Sequence, residues 1–482
     1  MPSLDEQILS WNPWWTDPSL IDRDPTIQRF QATPIQWDPP LLDGLPLTLG
    51  DAHTVRGPRQ GGKTTLAKRL IRRLLKSGVP RILYFSFDFH TDPEAIYDVI
   101  QRAKGLHPDP EGPWYLFLDE VTTISQWQRG VKVAWDQGLT RDDFLLLTGS
   151  SAHDLKTGSE QLPGRRGSGR DFLHLPMSFR DFCTQVEGIA LPPETTDMEG
   201  LLSEAGRKLT RRLYLLSTDL QRAFRTYLQV GGFPAAVGDY KALPTRRPDP
   251  DTVRMLWSAI AGDMARSGRN QTAATKLLEE IAVTLGNPLK WSSAARAMGV
   301  GSNNTAREYV EYLSESFSLL TVYFWDLAGG ALQPSKQRKV YYVDPVLAEI
   351  PAQLMPGARR APEDGLVENI VAAAMFRSAG HSLTQADPAP GAVGYWRSTN
   401  NRELDFVVPA PSRGRGGRMP IEVKGDSDSG IGRSRLAIAK AFGEGVVASR
   451  TVFDPDGDVP VIPIPILLAA LAEAPVRESP VG

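Results

Sequence analysis

The sequence holds a single cysteine, Cys183, in 482 residues, so it forms no internal disulfide and no cysteine-rich zinc site. An excess of either charge is also missing. A formal net charge of −2 and a pI near 6.4 give no global attraction to nucleic acid, so any such binding must rest on local basic patches. No run approaches the ~20 apolar residues of a membrane span, no charged-then-apolar leader is seen at the start, and no repeat of fixed period runs through the chain. A cytoplasmic protein without a membrane partner is the expectation. What is abundant is apolar residue, 41% of the total, enough to bury more than one core; at ~150 residues per domain the length suggests three parts.

The most informative stretch is Gly57-Pro58-Arg59-Gln60-Gly61-Gly62-Lys63-Thr64-Thr65, which satisfies the phosphate-binding pattern G-x-x-x-x-G-K-[S/T] at every fixed position. Its glycines let backbone N–H groups curl around phosphate oxygens, Lys63 brings positive charge to the β and γ phosphates, and Thr64 offers a hydroxyl to Mg²⁺. Leu66, Leu70 and Leu74 follow as the buried stripe of a helix whose N-terminus faces the phosphates. ATP and Mg²⁺ are the expected cofactors.

Trp114 to Glu120 is an apolar run ending in two carboxylates, read as a buried parallel strand that delivers Asp119 and Glu120 to the phosphate edge of a sheet. Asp119 is the expected Mg²⁺ ligand, directly or through water, and Glu120 the residue that orients and activates the attacking water. The pair predicts hydrolysis as well as binding. Arg81–Asp88 and Phe144–Ser151 supply two further strands, and Thr148 or Ser150, at the tip of the second, could sense the γ-phosphate.

In this order of motifs the chain resembles bacterial and archaeal ATPases of the AAA superfamily that carry a C-terminal domain of restriction-endonuclease-like, PD-D/E-x-K type. The resemblance rests on the phosphate loop, Leu118-Asp119-Glu120, Leu147-Thr148-Gly149-Ser150-Ser151, Leu162-Pro163-Gly164-Arg165-Arg166 with Leu175-Pro176-Met177-Ser178-Phe179-Arg180-Asp181-Phe182, Gly231-Gly232-Phe233-Pro234, and the C-terminal Glu-Leu-Asp-Phe-Val-Val and Ile-Glu-Val-Lys runs. It spans about residues 30 to 450. It implies that Arg165 is a charge-stabilising arginine, with Arg166 and Arg170 as rivals, and that subunits meet as a homo-oligomer if that arginine acts in trans.

The fold class expected is α/β: a P-loop NTPase parallel sheet with an N-terminal arm over residues 1–190, a helical lid over 191–250, a winged-helix domain over 251–350 and an α/β restriction-endonuclease-like domain over 351–482. Trp11, Trp14 and Trp15 read as an arm packing aromatic rings on a neighbouring surface. Arg207, Lys208, Arg211, Arg212, Arg222 and Arg225 line lid helices as solvated faces with a weak case for phosphate contact. Leu277, Leu278, Ile281 and Leu285 mark one helix, with others over Ser292–Met298 and Thr305–Phe317, and the strands Leu319–Trp325 and Lys339–Val343 can pair as a wing. Ser302, Asn303, Asn304, Thr305 and Arg307, at the start of the third helix, are of types that reach bases or phosphates; such a module serves either as a lid or as a DNA reader.

In the C-terminal part Glu368 lies on a helix, Asp405 on a strand, and Glu422 and Lys424 on the same face of the next strand. Asp405 and Glu422 suit metal ligands and Lys424 a water-positioning base or charge stabiliser, as phosphodiester hydrolysis requires. These residues look like the metal-dependent nuclease signature of restriction-endonuclease-like folds, with Glu368 as auxiliary carboxylate. A basic hairpin tip of Arg413, Arg415 and Arg418 would steer phosphate backbone towards them. The leading expectation is an ATP-dependent nuclease acting on DNA, in defence against foreign DNA by analogy; the alternative is a non-nucleolytic switch whose C-terminal domain binds a partner or nucleic acid.

Overall fold

The computed structural model describes residues 2–150, 162, 164–379, 393–400 and 402–473. Ser151 and Pro163, members of two of the motifs above, lie outside the described residues. The chain divides into two compact units that meet in sequence at Leu175 and Pro176.

The first unit is built on five parallel strands: β1 (Ala52–Arg56), β2 (Ile82–Ser86), β3 (Tyr115–Asp119), β4 (Phe144–Gly149) and β5 (Asp171–Leu173), in the order β2-β3-β4-β1-β5. Strands buried on both faces need continuous apolar runs, and alternation then divides one run between two cores. Leu83, Phe85, Leu116, Leu118, Leu145 and Leu147 pack with Ile96, Val99, Ile100 and Val131, from the helices Glu94–Leu106 and Trp127–Asp136. Ile82, Tyr84, Phe117, Phe144 and Leu146 pack on the other side against Leu66, Leu70, Ile71 and Leu74 of the helix Lys63–Lys76.

The N-terminal arm settles on the edge of this same sheet. Asn12 donates through Nδ2 to the Tyr84 carbonyl at 2.9 Å and accepts the Tyr84 N–H through Oδ1 at 2.7 Å. The indole N–H groups of Trp14 and Trp15 both reach the Ile82 carbonyl, at 3.1 and 2.7 Å. Side chains thus occupy backbone groups that the edge strand β2 would otherwise leave open.

The second unit carries nine further strands: β6 (Pro288–Leu289), β7 (Leu319–Asp326), β8 (Ala331–Gln333), β9 (Arg338–Tyr342), β10 (Gly394–Arg397), β11 (Glu403–Pro409), β12 (Arg418–Lys424), β13 (Val446–Ser449) and β14 (Val461–Pro463). Eight run in the order β14-β13-β12-β11-β10-β7-β9-β6, and β8 pairs with β7. Helices occupy Gln271–Thr284, Trp291–Met298 and Asn303–Glu315, and β7 and β9 pair antiparallel as the wing reading requires. β7 also pairs in parallel with β10, through Gly394 opposite Tyr323. One sheet therefore crosses the boundary expected at residue 350, and the elements read as a wing are interior strands of the same sheet as the C-terminal strands.

Two motifs of this unit acquire structural reasons. Gly231 has φ +67°, and a Cβ there would lie 1.9 Å from Oδ1 of the buried Asp344, while Asp344 Oδ2 accepts the Gly232 N–H at 2.7 Å. The basic helix faces are met by acids: Arg211 by Asp456 at 2.6 Å, Arg212 by Glu194 at 2.9 Å, Lys208 by Glu204 at 2.7 Å and Arg222 by Asp219 at 2.8 Å.

Candidate functional site

β1 ends at Arg56 and the helix after it begins at Lys63, so the phosphate loop spans the carboxyl end of a strand and the N-terminus of a helix. The loop runs so close to the neighbouring segment that a Cβ on Gly57 would lie 2.0 Å from the His174 carbonyl oxygen. Lys63 Nζ donates to the carbonyls of Gly57 and Pro58 at 2.9 and 3.1 Å and lies 3.7 Å from Glu120 Oε1. Its ammonium is held over the loop, between the glycine arch and the carboxylate expected to prepare water.

Asp119, at the end of β3, is buried and ringed by hydroxyls. Thr64 Oγ1 donates to its Oδ2 at 2.7 Å, the Tyr84 hydroxyl donates to the same oxygen at 2.8 Å, and the Thr148 hydroxyl donates to Oδ1. Burial and then the charge of Glu120 raise the Asp119 pKa, and the three hydroxyls oppose the rise. Thr64 and Asp119 place a hydroxyl and a carboxylate oxygen side by side, a donor pair that suits a hard divalent cation. Mg²⁺ held there would offset charge on the phosphates of ATP.

Glu120 follows in left-handed backbone, φ 52°, an unusual conformation for a non-glycine residue. Its N–H donates to Thr148 Oγ1 at 3.1 Å and its Oε2 accepts from Ser150 at 3.2 Å. Thr148 therefore orients both acidic residues, and Ser150 fixes the Glu120 carboxylate. Lys63, Thr64, Asp119, Glu120, Thr148 and Ser150 come together. Arg165 is engaged elsewhere, its guanidinium on Asp136 at 2.7 and 3.2 Å, while Arg166 pairs with Asp171 at 2.8 Å and the Arg170 N–H donates to His53 Nδ1 at 2.9 Å.

Tyr84 is not among the residues expected here. The signal for it is faint in the sequence: a hydroxyl on an apolar strand, whose neighbour relation to β3 emerges only once the sheet order is known. Its ring also carries the Lys68 ammonium at 3.5 Å, and Lys68 pairs with Asp24 at 2.9 Å.

Residues 50–183 match the AAA_14 family, described as an AAA domain. This segment is an AAA-type P-loop ATPase domain. Binding and hydrolysis of ATP are the activity of such a domain. Residues 221–354 match DUF8612, a domain of unknown function. Among solved structures the chain is similar to the Walker-type ATPase PABY2304 of Pyrococcus abyssi, at 13% identity over 62% of this chain and 91% of that one, with a TM-score of 0.37. It is also similar to the Aeropyrum pernix ORC1 protein in complex with DNA, at 13% identity over 74% and 95% with a TM-score of 0.30. Thermotoga maritima RuvB, in a variant form, aligns at 17% identity over 56% and 81%, with a TM-score of 0.27. No curated protein matches the sequence.

The second unit brings together Glu368, Asp405, Glu422 and Lys424, and adds a residue the sequence reading does not foresee. Lys339, fully buried on β9, places Nζ 3.1 Å from Glu368 Oε1, 3.0 Å from Asp405 Oδ1 and 2.8 Å from Glu403 Oε1. The Tyr341 hydroxyl, two residues along the same strand face, donates to Glu368 Oε1 at 2.5 Å. Asp405 Oδ2 accepts the Val423 N–H at 2.9 Å; Glu422 accepts the Asp405 N–H at 3.0 Å and pairs with Lys424 at 2.7 Å.

The electrostatics follow from these contacts. Burial alone would raise the Asp405 pKa, but the ammonium groups of Lys339 and Lys424 bring it below the usual carboxylate range. Burial and then the Asp405 charge raise Glu422 to about 8. Among the described residues no group of three or more His, Cys, Asp or Glu side chains is arranged to hold a metal ion. The carboxylates expected as Mg²⁺ ligands converge, but their facing oxygens are taken by ammonium and N–H donors, and they do not fit the metal as arranged.

The basic tip also differs from its expected form. Arg418 is buried, with its guanidinium 4.3 Å over the Trp325 ring, and burial lowers its pKa to about 10. Arg413 pairs with Glu444 at 3.1 Å, which leaves Arg415 as the exposed arginine of the three.

Proposed function

We infer that this protein is an ATP-driven switch, in which hydrolysis in the first unit governs what the second unit binds, a partner or nucleic acid. The observation that carries the reading is the convergence of Lys63, Thr64, Asp119 and Glu120 on one loop, with Glu120 held by Ser150 in left-handed backbone. A carboxamide keeps the shape of Glu120 but takes no proton from water, so Glu120→Gln retains ATP and loses hydrolysis by at least ~10²-fold. Lys63→Ala loses tight ATP binding, because the charge facing the β and γ phosphates is gone. Wild-type turnover in purified Glu120→Gln protein would overturn the assignment of Glu120.

A second reading, Mg²⁺-dependent cleavage of DNA by the C-terminal cluster, is favoured by the meeting of Glu368, Asp405, Glu422 and Lys424 in one cluster. Against it stands Lys339, which already satisfies the oxygens a metal would need. Nicking of plasmid DNA by wild-type protein with Mg²⁺, lost in Asp405→Ala and Lys424→Ala while ATP hydrolysis persists, would restore the nuclease reading. Binding without cleavage supports the switch.

A further inference from the structure

We propose that Lys339 is the resident cation of the C-terminal carboxylate cluster, standing where a divalent metal would otherwise sit, so that the wild-type cluster takes no metal. The proposal uses nothing from the ATP site and holds whether or not hydrolysis drives a switch.

An ammonium group has three N–H donors and no acceptor. Lys339 Nζ finds three carboxylates within 3.1 Å, from the helix Glu363–Ala379 through Glu368 and from β11 through Glu403 and Asp405. Its donors are thereby matched one to one. Most of the cluster's remaining oxygens also accept a donor: Glu403 Oε2 from Arg397 Nε at 2.9 Å, Asp405 Oδ2 from the Val423 amide, and Glu422 from Lys424 and the Asp405 amide, while Lys339 and Tyr341 share Glu368 Oε1. Mg²⁺ requires oxygens at about 2.0–2.1 Å in near-octahedral array. Such an ion would have to displace the lysine from the carboxylates it shares, and a buried positive charge beside it would repel it. Lys339 cannot withdraw to water by a simple rotamer change, since the whole residue is buried.

The position of Lys339 on its strand is what makes it a built-in part of the cluster. β9 lies beside β7, β7 beside β10, and β10 beside β11, so a residue from the expected wing reaches carboxylates of Glu368 and Asp405 that lie 29 and 66 positions later in the chain. Tyr341, one strand repeat along, reinforces the same carboxylate of Glu368.

Mn²⁺ titration of the full-length chain, without nucleotide, tests the idea by calorimetry. Wild-type protein and Asp405→Asn should bind the same number of Mn²⁺ ions, because the cluster holds none. Lys339→Met, which removes the ammonium and keeps an unbranched stem, should gain one Mn²⁺ per chain, and Asp405→Asn in that background should abolish the gain. Thermal melting provides a second readout: Lys339→Met should melt lower than wild type in EDTA and recover with Mn²⁺, while wild type should not respond through the cluster. A Mn²⁺ bound by wild type and lost in Asp405→Asn overturns the proposal, as does a folded Lys339→Met that takes no added ion. Should Lys339→Met fail to fold, the comparison of wild type with Asp405→Asn decides alone.

Discussion

Asp119 is buried among three hydroxyls, and one of them, on Tyr84, comes from a strand that none of the expected nucleotide-site residues occupies. A hydrogen bond to a charged group contributes about 1.5–3 kcal/mol, and a tenfold change in rate corresponds to about 1.4 kcal/mol. Tyr84→Phe keeps the ring under Lys68 and removes the donor to Asp119, so kcat for ATP hydrolysis should fall about tenfold and the Mg²⁺ requirement should rise, with the ATP dissociation constant nearly unchanged. Unaltered steady-state kinetics across a Mg²⁺ series would show that Thr64 and Thr148 suffice to orient the carboxylate. Arg165 poses a different question, because its guanidinium pairs with Asp136. The resemblance that singles it out implies that it meets a phosphate presented by a second copy, for which it would have to leave Asp136. If it acts that way, Arg165→Ala slows turnover by roughly 10³ with a much smaller change in ATP affinity. A normal rate in the variant, and the same mass by light scattering with and without ATP, would exclude the trans role of Arg165.

Edge strands are the elements a sheet must protect, and β2 is protected by side chains of a segment that precedes the whole sheet in sequence. Asn12→Ala removes both bonds to the Tyr84 backbone and leaves a buried N–H and C=O open, a cost of about 1–3 kcal/mol for each group. Urea denaturation should therefore show a loss of about 2–6 kcal/mol in the first unit, with light scattering rising as the edge opens. A change under about 0.5 kcal/mol would mean that Trp14 and Trp15 hold the arm without Asn12. Such edge chemistry is illegible beforehand, since Trp11, Trp14 and Trp15 announce only that an aromatic surface will be covered. Periodicity is more informative inside the elements: the Leu66–Leu74 stripe, the apolar runs of β2 to β4, and Leu277, Leu278 and Ile281 all occupy the buried faces their spacing indicates. Pairing between elements far apart is not. β7 and β10 are remote from each other in sequence, and their parallel contact leaves no local trace, so neither the shared sheet nor the place of Lys339 in the carboxylate cluster can be inferred from alternation along β9.

At the scale of the whole molecule, two buried groups of opposite kind, His53 in the first unit and Asp344 in the second, should answer acid in opposite ways. His53 in the first unit is buried and accepts the Arg170 N–H on Nδ1; burial lowers its pKa to about 4 from an unfolded value of 6.5. The unfolded chain binds the extra proton between those values, so this unit is stable above pH 6.5 and loses stability as pH falls towards 4. Asp344 in the second unit is buried on the Gly232 and Val346 amides, and burial raises its pKa to about 6 from 3.8. Here the folded form keeps the proton longer, and stability present near pH 4 is lost as pH rises through 6. Each effect is on the order of 3 kcal/mol at most, at about 1.36 kcal/mol per pKa unit, which is large against a typical domain stability of about 5–15 kcal/mol. Pulse proteolysis in urea, with fragments assigned to each unit by mass, should show His53 weakening the first unit and Asp344 strengthening the second between pH 6.5 and about 4, each by comparison with its substituted variant. His53→Gln should change only the first response, and Asp344→Asn should reduce only the second, to which Glu422, raised to about 8, contributes in the same direction. Parallel slopes in the two units, unmoved by either substitution, would mean that other groups dominate the linkage.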